Sequence, residues 1–167
     1  WSYSFTATTP LGDTHTAVEY WGKIFDELSE RTNGRITGKI YPSSQLAGGD
    51  MATSLDMVQK GTIDIFVGGS TILGSYIPEF RLTNLAFVFP NNESCDGTLN
   101  DGEIMAFYNK ESEAQGFHFL GWMENGWSEI TNNKRELIKP SDLSGLVMRI
   151  PNGNDALIKA YESVGAS

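Results

Sequence analysis

The sequence is short of cysteine, of positive charge and of long apolar runs, and each shortage excludes something. A single cysteine, Cys95, rules out an internal disulfide framework and any zinc site built on cysteines. Histidine is nearly as scarce: His15 and His118 fall in different elements, and neither has a ligand partner at metal-binding spacing. Twelve Lys and Arg against 21 Asp and Glu give a formal charge of −9, which argues against a nucleic-acid partner or an anionic membrane surface. The longest wholly apolar stretch runs only from Leu85 to Phe89, too short to span a bilayer as a helix. No serine sits in a nucleophile elbow, and no G-x-G-x-x-G or Lys-Ser/Thr phosphate loop follows a strand. What is present is a chain of 167 residues, 40% hydrophobic and 20% charged, enough to bury a core without staples. It starts at Trp1 without an initiator Met or a basic-then-apolar leader, as a processed or trimmed start would.

Tyr3 to Ala7 alternates large apolar with small polar residues and predicts a strand. Turn residues follow at Thr9-Pro10-Leu11-Gly12-Asp13, with Asp13 or Thr14 as the expected helix cap. Ala17, Trp21, Ile24 and Leu28, with Val18 and Phe25 beside them, make a stripe at helical spacing that Asn33-Gly34 ends. Ile36 to Tyr41 alternates again, a second helix is expected from Asp50 to Lys60 with Gly61 closing it, and Ile63 to Val67 reads as a buried strand. This β-α-β-α-β order predicts a parallel α/β sheet with right-handed crossovers. Ligands in such sheets sit beyond the carboxyl ends of the strands, which draws attention to the loops at Thr8–Asp13 and Gly68–Thr71. Farther on, the pattern predicts a helix over Leu99–Gln115, strands at Phe117–Met123 and Leu146–Ile150, an extended segment at Trp127–Thr131 and a last helix from Asp155 to about Ser163. No strand is expected after that helix, as in a fold that stops mid-pattern.

Chemistry has few candidates. His118 between two phenylalanines and His15 at a helix start read first as structural. Gly68-Gly69-Ser70 after a strand is a weak phosphate-loop signal, although small residues there let a ligand approach the backbone. Arg149 stands inside the apolar run Leu146-Val147-Met148-Arg149-Ile150-Pro151, where an unpaired guanidinium in a strand core costs several kcal/mol. Its partner is either a structural carboxylate or the acidic group of a ligand, and its planar fork suits a carboxylate. Phe119, Trp122 and Trp127 are core aromatics or an aromatic wall over a ligand.

Several motifs bring a family into view. Tyr41-Pro42-Ser43-Ser44-Gln45-Leu46-Ala47-Gly48-Gly49 resembles the YPSSQLG segment of solute-binding proteins of tripartite ATP-independent periplasmic (TRAP) transporters. Gly61-Thr62-Ile63-Asp64 resembles their G-x-x-D strand entry, and the run from Pro140 to Asn152 resembles their P-x-DLKGLK-x-R-x-PN signature. Val164-Gly165-Ala166-Ser167 is similar to the start of GA-S/T-P. The matches are collinear over essentially the whole chain. The resemblance implies a periplasmic-binding-protein-like α/β fold in which two α/β domains close on a cleft, here truncated, with residues 1–123 in the first domain and 124–167 opening the second.

It further implies an extracytoplasmic receptor that delivers a small organic acid to TRAP permease membrane subunits, with no cofactor and no nucleic acid. The arginine matching Arg149 would bridge the substrate carboxylate, Asn152 would lie beside it, and Thr8, Thr9, Gly69 and Ser70 would contribute from the other domain. Where many members have G-x-R-x-x-T, this chain has Gly126-Trp127-Ser128-Glu129-Ile130-Thr131, so Ser128 stands in place of a second arginine. A monocarboxylate with an apolar or aromatic body on Trp127 is then expected, and Glu129 would favour an amine or simply face solvent. Two other classes stay open: a ligand-sensing domain of a membrane receptor, and an α/β hydrolase-type enzyme, for which no nucleophile or acid–base pair is found.

Overall fold

A computed structural model describes residues 1–85, 88–150 and 154–167. Its sheet has three parallel strands in the order β2-β1-β3, where β1 is Tyr3–Thr8, β2 Ile36–Tyr41 and β3 Ile65–Phe66. The register pairs Tyr3 with Ile36 through to Thr8 with Tyr41 on one edge of β1, and Ala7 with Ile65 on the other. Because β2 and β3 flank β1 on opposite sides, crossovers of one hand put the two connecting helices on opposite faces.

The first connector, α1 (Thr16–Arg31), lies on the face that carries Phe5, Ala7 and Gly38. Phe25 packs so closely there that a Cβ on Gly38 would meet its ring at 2.2 Å. The cap of α1 is His15, not Asp13 or Thr14: its Nδ1 accepts the Ala17 N–H at 3.1 Å. The helix ends at Asn33 and Gly34, both with positive φ. The second connector, α2 (Met51–Gln59), starts as expected with Asp50 accepting from Thr53 N–H at 2.6 Å, and buries Leu55 completely. Each such fully buried aliphatic side chain contributes about 1.5–3 kcal/mol.

The expected strand at Ile63–Val67 shrinks to the two residues of β3. Asp64 explains part of this: its carboxylate takes the Thr6 N–H at 2.7 Å and the Tyr3 hydroxyl at 2.5 Å, so the Thr6 donor that a longer ladder would use is already satisfied. A short helix, α3 (Ser70–Leu73), follows, then a 3-10 segment at Pro78–Asn84. The helix expected over Leu99–Gln115 is present as α5 (Gly102–Glu113), and a further helix that the sequence pattern did not predict, α4 (Asn92–Leu99), stands just before it. Asp101 makes the break, because its Oδ1 caps the Glu103 and Ile104 N–H groups at 2.9 and 3.3 Å.

Phe80 and Tyr108 from these elements form an aromatic cluster with Phe119 and Trp122, with Phe80 at 4.9, 5.3 and 5.3 Å from the other three ring centroids. Tyr76 beside it donates its hydroxyl to Asp56 at 2.5 Å; burial first, then that carboxylate, pushes the phenol up to about 12. The expected strand at Phe117–Met123 is absent, and so is regular structure at Trp127–Thr131. Phe119 N–H goes to the Asn109 side chain at 3.2 Å, and the alternation reflects packing on the cluster instead of pairing in a ladder.

Beyond an exposed stretch, a second and smaller cluster gathers Leu143, Leu146 and Ala166 with Leu137, Met148, Tyr161 and Val164. The last helix, α6 (Asp155–Ser163), lies where the sequence predicts it, capped by Asn154. Leu146–Ile150 is not a strand in the sheet. Its backbone instead bonds to the residues after α6: Gly145 N–H to Gly165 O at 2.7 Å, Ser167 N–H to Leu146 O at 2.9 Å and Met148 N–H to Ser167 O at 2.6 Å. The last two bonds are the pattern of a parallel pair opposite Val147 and Ser167. No strand follows α6 among the described residues, as expected; these bonds hold the residues after it against Leu146–Met148.

Candidate functional site

At the carboxyl end of the sheet, the loops after β1 and β3 lie side by side because their strands are parallel neighbours, with Val67 N–H on Thr8 O at 2.9 Å. Thr8 and Thr9 are both fully buried. Thr9 anchors the turn after β2: its carbonyl accepts from Ser44 N–H at 2.8 Å and its hydroxyl from Leu11 N–H at 3.2 Å. Ser43 and Ser44 hold φ of 54° and 47°, a left-handed pair that non-glycine residues adopt at a cost. The hydroxyls of Thr8 and Ser44 are enclosed without a hydrogen-bond partner among the described residues. Gly69 is exposed and caps α3; Ser70 opens that helix, and its hydroxyl accepts from Asn84 Nδ2 at 2.9 Å.

Arg149 lies elsewhere, and not in a strand core. Alternation along its segment buries Leu146 (6% exposed) and leaves Val147 out (88%), so Arg149 shares the outward side with Val147. Among the described residues no carboxylate pairs with it. It faces an open cleft of about 820 Å³, within the size range of small-molecule sites. Two stretches of chain, residues 129–135 and 145–149, make the walls of the cleft, and Tyr161 of α6 lines it as well. Lys134, Arg135 and Arg149 make the cleft mainly cationic, with Glu129 the single acid on its lining. Such a cleft attracts a small anion, and a guanidinium without a protein carboxylate is free to grip one with two parallel hydrogen bonds.

Trp127 and Ser128 are exposed and stand immediately before the first lining residue, Glu129. Asn152 lies outside the described residues. The structure thus brings together the loops of Thr8, Thr9, Gly69 and Ser70 at one place and the Arg149 cleft at another; the two sets do not line one cavity among the described residues. Arg135 and Tyr161 are lining residues that sequence reasoning passed over. Arg135 ends the polar run Asn132-Asn133-Lys134-Arg135 and Tyr161 lies in α6, and nothing local in the sequence says that either lines a cleft with Arg149. His118 Nδ1 sits 3.4 Å from the Glu113 carboxylate, and among the described residues no three His, Cys, Asp or Glu side chains gather as a metal site.

The chain is similar to several known proteins. It is 32% identical over 160 residues, 96% of its length, to the 2,3-diketo-L-gulonate-binding periplasmic protein YiaO of Escherichia coli, of which it covers 47%. A TRAP periplasmic solute-binding protein from Ralstonia eutropha, solved with bound (S)-2-acetolactate, superposes with a TM-score of 0.85 at 31% identity over 100% of this chain and 52% of that one. Another from Polaromonas, bound to D-erythronate, gives 0.85 at 27% identity over 99% and 53%. The chain therefore spans about half the length of these relatives. The family model for bacterial extracellular solute-binding proteins, family 7, matches residues 6–167. The α/β fold and the motifs from Tyr41 to Asn152 point the same way, and the chain belongs to that family.

Proposed function

We propose that the protein is the periplasmic receptor of a TRAP transporter, which captures a small organic acid through an Arg149–carboxylate salt bridge and presents it to the permease subunits in the membrane. The observation that carries this reading is the outward-facing Arg149 guanidinium in a cationic cleft, unpaired among the described residues, in a chain of a solute-binding family. The family is one of binding proteins, so the reading contains no catalytic step. Residues 1–123 act as the first domain and 124–167 as the opening of the second. The division of the apolar side chains supports this, since the aromatic cluster ends at Trp122 and the second cluster begins at Leu137.

In this mechanism the carboxylate docks on the Arg149 fork, and closure around it excludes water and strengthens the pair. Ligand shifts the protein towards the closed form, which is the form the permease recognises. Trp127 and Ser128, together with Asn152, complete the contact from one side; Thr8, Thr9, Gly69 and Ser70 complete it from the other. The ligand is a monocarboxylate. Diketogulonate, acetolactate and erythronate, named for the relatives, are monocarboxylates whose bodies carry hydroxyl or oxo groups, and this chain takes an acid of that kind with its carbon face on the Trp127 indole.

Calorimetric titration with D-erythronate and (S)-2-acetolactate tests the reading. Arg149→Ala is expected to weaken binding by about 30- to several-thousand-fold, the loss of one partner of a desolvated charge pair. Arg149→Lys keeps the charge but not the fork and should recover only part of it. Because Arg149 is exposed, neither variant should change the melting temperature of the ligand-free protein. Unchanged affinity in Arg149→Ala overturns the assignment.

A further inference from the structure

We infer that Arg135 is a positioning residue of the acid-binding cleft: it ties the two walls together and so fixes where Arg149 meets its anion, an inference that rests on the receptor reading above. Arg135 sits at the end of the first wall, behind the turn in which Asn132 Oδ1 accepts the Lys134 and Arg135 N–H groups at 2.8 and 3.0 Å. From that turn its Nη2 reaches the Ser144 carbonyl oxygen at 2.6 Å. No other hydrogen bond among the described residues joins 129–135 to 144–149.

The acceptor is not incidental. Ser144 ends the 3-10 helix Pro140–Leu143, where carbonyls lack helical partners, and a charged donor satisfies one of them with a short, strong bond. Gly145, the next residue, has φ +74° and bonds to Gly165, so this is where the second wall turns into the extended run ending at Arg149. A donor fixed at the start of that run sets the separation of the walls, while the bonds to Gly165 and Ser167 set its direction. Lysine in place of Arg135 would offer one mobile ammonium for a planar fork and hold the carbonyl less rigidly.

Two measurements test this. Spin labels on Thr131→Cys and Val147→Cys, both exposed positions on opposite walls, are read without ligand in a Cys95→Ser background. Arg135→Ala is expected to broaden the label separation and move it to longer distance, with Arg135→Lys intermediate; an unchanged distribution overturns the inference. In the unlabelled protein, a double-mutant cycle titrated with D-erythronate separates positioning from direct contact. Arg135→Ala should weaken binding by about tenfold beside a native Arg149 and by less than about twofold beside Arg149→Ala, because the coupling runs through Arg149. A full tenfold loss in both backgrounds makes Arg135 a ligand contact and overturns the positioning role. So does a lowered melting temperature with unchanged affinity. If the unmutated protein binds no acid, the receptor reading fails, and the label distances alone then decide whether Arg135 holds the walls.

Discussion

Around Phe80 four aromatic rings close on one another, whereas around Leu143 the apolar side chains form one thin layer beside an open cleft. In the first region Phe80, Ile77, Leu55 and Ile63 are almost wholly enclosed, and the connecting helices cover both faces of the sheet. In the second, Leu143 and Leu146 sit near the edge of burial while Val147 and Ile138 are 88% and 80% exposed. The contrast separates two tasks. The first region spends its apolar residues on rigidity, and the second leaves its charged groups accessible on lightly packed walls. Sites that must open and close are drawn from the less tightly packed parts of a protein.

Substitutions can break or sharpen this contrast. The largest effect on stability is expected at Phe80→Ala, which removes the ring shared by three aromatic contacts and should cost about 3–5 kcal/mol in a denaturant titration. A loss under about 1 kcal/mol would show that the aromatic cluster is not the firm part of the molecule. Gly38→Ala comes next: its methyl would collide with the Phe25 ring, and overpacking of this kind costs about 1–3 kcal/mol by the same measurement. In the second region the effects should be smaller. Asn154→Ala removes the cap bond to Leu157 N–H and should cost about 1 kcal/mol, with Asn154→Asp retaining most of it. Val147→Thr, on the outward side, should stay within about 0.5 kcal/mol. A large loss there would mean that the segment carrying Arg149 is packed in solution, and the contrast between the two regions would then collapse.

The parts of the fold legible in the sequence are those with two agreeing signals. The first two strands and the first two helices show alternation or a helical stripe together with a stop: Asn33-Gly34, Pro42 or Gly61. Helix α6 follows the Pro151-Asn152-Gly153-Asn154 turn chemistry in the same way. Alternation alone misled. At Asn109 a side-chain oxygen takes the Phe119 N–H and a segment with strand-like periodicity is held without a ladder, while at Asp64 a carboxylate oxygen takes the Thr6 N–H and the ladder stays short. Period two reports which side of a segment is buried, not what the backbone is bonded to. The Arg149 segment shows the same lesson in reverse. Its apolar neighbours suggested a buried guanidinium, yet the alternation itself sets Arg149 with Val147 on the outward side. Resemblance located Arg149 as the residue of interest, but the role of Arg135 depends on a contact nine residues away in sequence and had no local signature.

The tryptophans differ in how far solvent reaches them. The Trp122 indole nitrogen is enclosed, Trp127 is 57% exposed and Trp1 84%. A dissolved collisional quencher will therefore reach Trp127 and Trp1 more readily than the half-buried Trp21 and Trp122. With Trp1→Phe and Trp21→Phe, the quenchable emission should come chiefly from Trp127, two residues before the first residue that lines the cleft. Occupancy of that cleft would then be readable as light from the protein's own side chains, with no dye attached.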